Sequence, residues 1–123
     1  MPADEPNTVA AAYKRGLVLA RAGSFFAAHE AFEEAWRACT PGDRDFYQGL
    51  VHVAVAWYQA GRGNRNGCAR QLEKAARRLG PYAPAHRGVN VADVLAQVAT
   101  AVDRVERGSL DLGPVALDPV EPD

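Results

Sequence analysis

The stretch His29-Glu30-Ala31-Phe32-Glu33-Glu34-Ala35-Trp36 places an imidazole and a carboxylate, those of His29 and Glu33, one helical turn apart. A histidine and a glutamate at i and i+4 can hold a divalent metal, exchange a proton, or hydrogen-bond each other beside a core. A zinc hydrolase of the His-Glu-x-x-His type would carry a second histidine where Glu33 stands and use Glu30 as its general base. Glu33 therefore breaks that motif. Carboxylate-bridged di-iron bundles need Glu-x-x-His pairs and further glutamates from other helices, and these are missing too. A second polar set lies in the next apolar segment, where Gln48, His52 and Gln59 fall in one line at i, i+4 and i+11. The spacing predicts that His29 and Glu33, with Trp36 beside them, meet Gln48 and His52 in a polar pocket between the second and third helices. A plain hydrogen-bonded pair of His29 and Glu33 ranks above a metal on His29, Glu33 and His52, because buried polar groups normally find partners within the fold. No cofactor is expected; the alternative is a divalent metal on His29 and Glu33, with Glu30 and Glu33 as the catalytic candidates.

Between Arg62 and Arg87 there are seven basic residues and one acid, Glu73. Such a stripe can meet phosphates, but it lacks the interleaved aromatics that single-stranded nucleic acid stacks on. It reads first as a solvated helix face. Gly61-Arg62-Gly63-Asn64-Arg65-Asn66-Gly67 follows a helix and matches no phosphate loop, so it is a helix-to-helix turn. Cys39 and Cys68 stand far apart with no Cys-x-x-Cys, which fits small buried apolar residues in a reduced, cytosolic protein. His86, in a proline turn, reads as exposed.

The elements that must position these residues follow a helical period throughout. Residues 1–7 read as a flexible arm, with Asn7 or Thr8 capping a first helix that carries Val9, Ala12, Tyr13, Leu17 and Ala20 inward. Gly23 breaks it and Ser24 is placed to cap a second helix, about residues 24–39, whose core face is Phe25, Ala28, Phe32, Ala35 and Trp36. A third, from about 44 to 61 with Asp43 as its cap, is apolar almost all round and should be the central, most buried element. A fourth covers about 66–79 and a fifth about 91–107. Residues 109–123 hold four acids and three prolines and read as an extended tail, pinned by Leu110, Leu112, Val115 and Leu117. A shift of 40 residues lays Gly23 on Gly63, Phe32 on Leu72, Glu33 on Glu73 and Ala35 on Ala75, as two helical hairpins of similar design would. The predicted fold is all-α: a five-helix orthogonal or antiparallel bundle of two hairpins, a closing helix and the tail, with residues 8–108 as one helical domain.

The 123 residues suffice for one such core, and 48% of them are apolar, which excludes disorder. Fourteen Lys and Arg against fifteen Asp and Glu leave a net charge of −1, so no global field points to nucleic acid. No apolar run approaches the roughly 20 residues of a membrane span.

Two separated motifs resemble a family known as domain of unknown function 309. They are Gly23-x-Phe25-Phe26-x-x-His29-Glu30-x-x-Glu33-x-x-Trp36 and Phe46-x-Gln48-Gly49-Leu50-x-x-x-Ala54, followed by Gly61-x-Gly63-Asn64 and a helix from Ala69 to Leu79. The resemblance covers about residues 13–80 and implies a small all-helical fold. Some members are labelled metal-dependent hydrolases; carried over, that label rests on His29, Glu30, Glu33 and Gln48, and does not include His52. Residues 13–41 are also similar to a tetratricopeptide repeat through Gly16, Gly23, Ala28, Phe32 and Ala35.

The leading functional expectation is a helical interaction or small-ligand-binding module with the polar pocket between helices two and three. Metal-dependent hydrolysis through His29, Glu30 and Glu33 comes second, and nucleic-acid binding by the 62–87 stripe last. The expected partner is a protein or a small molecule, with a homodimer as an open alternative and no membrane; the expected location is the cytoplasm.

Overall fold

A computed structural model describes residues 4–117, with side chains from Thr8 onward. The fold is all-α: α1 (Asp4–Arg21), α2 (Phe25–Ala38), α3 (Arg44–Gly61), α4 (Arg65–Leu79) and α5 (Val91–Glu106). Single 3-10 turns, Pro41–Asp43 and Gly80–Tyr82, lead into α3 and out of α4. No helix of the described residues is long and apolar enough to cross a membrane. The first helix begins at Asp4, upstream of the expected boundary. Pro6 does not prevent this, because the first turn of a helix has no use for its missing N–H. The rest of the expected arm, residues 1–3, lies outside the described residues, as do residues 118–123 of the tail.

The 40-residue echo is visible in the backbone. Gly23 donates to the carbonyl of Ala20 and Ser24 to that of Leu19; Gly63 donates to Ala60 and Asn64 to Gln59. Both are Schellman closures, and both need a left-handed residue after the helix, at φ +80° in Gly23 and +77° in Gly63. Asn64 then accepts from the Gly67 amide at 2.9 Å and starts α4. The hydroxyl of Ser24 makes no such bond at the start of α2, contrary to the capping role its position predicts.

Each helix packs on the next in chain order, α1 on α2, α2 on α3, α3 on α4 and α4 on α5. Two glycines set the closest approaches: a methyl group at Gly16 would lie 2.5 Å from the Phe32 ring, and one at Gly49 would lie 2.5 Å from Leu79 Cγ. As expected, α3 is the heart of the molecule, with Phe46, Leu50, Val53, Ala54 and Ala56 all but inaccessible. The tail runs back along α5. Trp57 Nε1 donates to the Gly113 carbonyl at 2.9 Å, and the Gln97 amide brackets the backbone of Ala116 with two 2.8 Å bonds. Val115 and Leu117 are buried beneath it, and Leu110 and Leu112 pack at its margin.

Candidate functional site

The residues singled out by spacing lie along α2 and the polar seam of α3, but they do not form one pocket. His29 is half-buried. Its Nδ1 lies 2.7 Å from the Phe26 carbonyl of its own helix, and its Nε2 lies 3.8 Å from Glu33 Oε1. The same Glu33 oxygen is 3.4 Å from Arg37 Nη2. Glu30 points to solvent. Trp36 packs on the core with its indole N–H buried and unpartnered, while the Arg44 guanidinium lies 4.6 Å over its ring. Gln48 is half-buried on the seam.

The expected meeting of His29 with His52 does not occur. His52 Nδ1 is 2.7 Å from Gln71 Oε1, so His52 faces α4 rather than α2. The cause is angular. At about 100° per residue, positions 52 and 58 sit about 120° apart around α3. Tyr58, not His52, reaches α2, where its ring centroid is 5.3 Å from that of Phe26. Burial, seconded by the charges of Lys74, Arg78 and Arg77, pushes the His52 imidazole below its ordinary value despite the Gln71 bond. Among the described residues no group of three or more His, Cys, Asp or Glu is gathered to hold a metal. The set His29, Glu33 and His52 fails on this geometry, because its third member is turned to Gln71.

With its imidazole bonded within α2 and only a long contact to a partly exposed Glu33, His29 bridges no helices. His29→Ala is therefore expected to cost under about 1 kcal/mol, read as a small shift of the urea midpoint without change of slope.

A more organised polar site lies at the other end of α2. Asp43 is the one buried charged residue among the described residues. Its Oδ1 lies 2.8 Å from His86 Nε2, and its Oδ2 accepts from Arg87 Nε at 3.1 Å and Nη2 at 2.5 Å. Burial works to raise the Asp43 pKa, but the hydrogen bonds from His86 and Arg87 outweigh it and hold the carboxyl below its ordinary range. Arg87 adopts φ +49°, unusual for a side-chain-bearing residue, in a tight reversal closed by paired backbone bonds between His86 and Val89. Tyr13 donates its hydroxyl to the Arg87 carbonyl at 2.7 Å, and Tyr82 donates to the Gly42 carbonyl at 2.7 Å. The 86–89 reversal is thus tied to α1 and to the connection between α2 and α3. Edge-to-face contacts of Phe46 with Tyr13, Tyr47, Tyr82 and His86 lie underneath.

Between these parts opens a cleft of about 490 Å³, lined by Val9, Ala10, Tyr13, Ala38, Cys39, Thr40, Asp43, Tyr47 and Arg87. Burial raises the Tyr13 and Tyr47 hydroxyls above the ordinary phenol range, so both keep their protons. Burial also raises the Cys39 thiol, which donates to the Trp36 carbonyl at 3.2 Å; it is not a poised thiolate.

Two single-residue expectations are corrected here. Asp43 does not cap α3 with its side chain, because its carboxylate is taken by His86 and Arg87. His86 is not simply exposed but half-buried against Asp43 and Phe46. Partners 43 and 44 positions apart leave no periodic trace, and the one available signal was a lone acid beside the Pro-Gly turn.

No curated protein matches this chain. The family model described as domain of unknown function (DUF309) matches residues 13–71, from Tyr13 on α1 through α2 and α3 to the Gln71 that holds His52. By that match, over helices that hold most of the cleft and all of the α2–α3 face, the chain is similar to the DUF309 family.

Proposed function

We propose that this protein is a small-ligand-binding helical domain whose site is the cleft between Tyr13, Cys39, Asp43, Tyr47 and Arg87, and that it takes a small organic anion with an apolar body. The observation that carries this reading is the Asp43–Arg87 pair at the cleft wall. Asp43 spends its charge on His86 and Arg87, while the Arg87 side chain stays 54% exposed. Its remaining N–H donors are open to an anion. The positive charges of Arg21 and Arg44 act in the same direction, stabilising negative charge at Tyr13 and Cys39 respectively. Val9, Ala10 and Ala38 supply apolar wall, the neutral Tyr47 hydroxyl supplies a donor, and the volume falls within the range of small-molecule sites.

The test is a thermal-shift and calorimetric series with benzoate, phenyl phosphate and phenyltrimethylammonium on the wild type and on Ala10→Trp. Ala10 is an exposed lining residue, so the indole obstructs the cleft while Asp43, His86 and Arg87 remain unsubstituted. The two anions should stabilise the wild type, by about 1.4 kcal/mol at ten times Kd, and leave Ala10→Trp unmoved. Stabilisation by the cation alone, or equal stabilisation of both proteins, would overturn the assignment.

A further inference from the structure

The first arginine of the basic stripe meets aromatics distant in sequence at the turn between α3 and α4. Phe26 is 51% exposed and, with Val18, is one of two exposed large apolar residues among the described residues. Its ring lies 4.9 Å from that of His29 and 5.3 Å from that of Tyr58, centroid to centroid. The Arg62 guanidinium lies 5.5 Å over the Tyr58 ring and donates to its hydroxyl at 3.0 Å. A row of planar groups, His29, Phe26, Tyr58 and Arg62, is therefore laid across the α2–α3 seam, with the Phe26 ring half exposed.

The charges that follow this row along the chain are uncompensated. Arg77 is paired with Glu73 and Arg78 with Asp45, but Arg62, Arg65, Arg70 and Lys74 have no ion pair among the described residues. No acid occurs from Gly61 to Leu72. On the α2 side Glu33 is turned to Arg37, and Glu30 lies exposed one turn beyond Phe26. Read as sequence, the stripe lacked interleaved aromatics. The fold provides them from two other helices.

We infer that Phe26, Tyr58 and Arg62, together with Arg65 and Arg70, form a binding platform for single-stranded nucleic acid. Bases stack on the Phe26–Tyr58 pair, a contact that any base can make, and phosphates run over Arg62 and Arg65 towards Arg70. A duplex hides its base faces and offers the platform only phosphates. An acidic peptide would satisfy the arginines but leave the exposed aromatic face unused. This surface shares no residue with the Tyr13–Arg87 cleft, so the two assignments stand or fall separately.

Fluorescence anisotropy with a labelled oligouridine strand, the same strand in duplex, and a labelled polyglutamate peptide tests the proposal. The single strand should bind best, with log K falling against log salt at a slope of about −2 for three phosphate contacts. Phe26→Ala and Phe26→Leu should each weaken single-strand binding about tenfold, the leucine failing because it keeps apolar area but has no π-face. Arg62→Ala with Arg65→Ala should flatten the salt slope by about one unit or more. Ala10→Trp should bind the strand as the wild type does. Absence of binding at low salt, equal affinity for duplex or polyglutamate, or wild-type affinity in Phe26→Leu would each overturn the inference. Circular dichroism of the variants should match the wild type, since Phe26 is half exposed.

Discussion

Phe32→Ala is expected to remove about 4 kcal/mol of folding stability, the largest loss of any single substitution considered for this chain. Phe32 is fully buried, and its ring occupies the space where a side chain at position 16 would begin. Truncation deletes the transfer free energy of the ring. It also leaves a void between α1 and α2 that the backbone can close only in part, because each helix is held by its own neighbours. A domain of this size has roughly 5–15 kcal/mol in total, so the variant should stand near the edge of cooperative folding. The matching experiment runs in the other direction. Gly16→Ala sets a methyl group 2.5 Å from the Phe32 ring and should cost about 1–2 kcal/mol despite alanine's better helix propensity. Phe32→Leu should recover part of that loss, so the urea midpoints of the single and double variants will be non-additive. Strict additivity would mean that the two residues do not share the contact.

Asp43→Ala is expected to cost about 2 kcal/mol at neutral pH. Hydrogen bonds to a buried carboxylate are worth about 1.5–3 kcal/mol in sum. The figure is held to the lower part of that range because the Arg87 side chain, 54% exposed, regains water when its partner goes. The pH dependence has a definite sign. A carboxyl whose folded pKa lies below its unfolded value contributes stability that is complete above the unfolded value, near 3.9, and fades as pH falls through the folded one. The stability that the Asp43 carboxylate supplies should therefore shrink as pH falls below about 4, and with it the difference between wild type and Asp43→Ala. Asp43→Asn keeps the shape without the charge and should fall between the two. A difference that instead grew as pH fell below about 4 would show that Asp43 is not the anion of the cluster. Loss of the pair also frees the 86–89 reversal, and amide exchange at Val89 should accelerate in both variants.

Local chemistry made much of the fold legible in the sequence. Gly23 and Gly63 announced two helix ends because a left-handed residue is needed there, and α3 was delimited as Arg44–Gly61 because its apolar period runs unbroken between a Pro-Gly turn and Gly61. The helix α1 begins at Asp4, inside the arm expected over residues 1–7, because a proline in the first turn costs no helical bond. The site was less legible. A helical wheel puts His29 and Glu33 on one side of α2 and His52 on the polar seam of α3, but it does not say which neighbour each edge of the seam meets. His52 met Gln71, and Tyr58 met Phe26. The Asp43 cluster was invisible for a stricter reason: its members belong to two connections whose closeness depends on how α4 returns to the body.

Packing in chain order bears on how the molecule is assembled. When each helix rests on its immediate successor, most stabilising contacts span a single hairpin, and the entropy of closing long loops is a small part of the barrier. Such a topology belongs with fast folders, and either hairpin can serve as the nucleus from which the other condenses. The Tyr13–Arg87 bond, across 74 positions, and the Asp43 cluster are exceptions, and the tail adds another. The bond from Trp57 to Gly113 joins positions 56 residues apart, so it forms only after α3, α4 and α5 have met. The tail is then a late latch, whose removal quickens unfolding while leaving the folding rate almost unchanged.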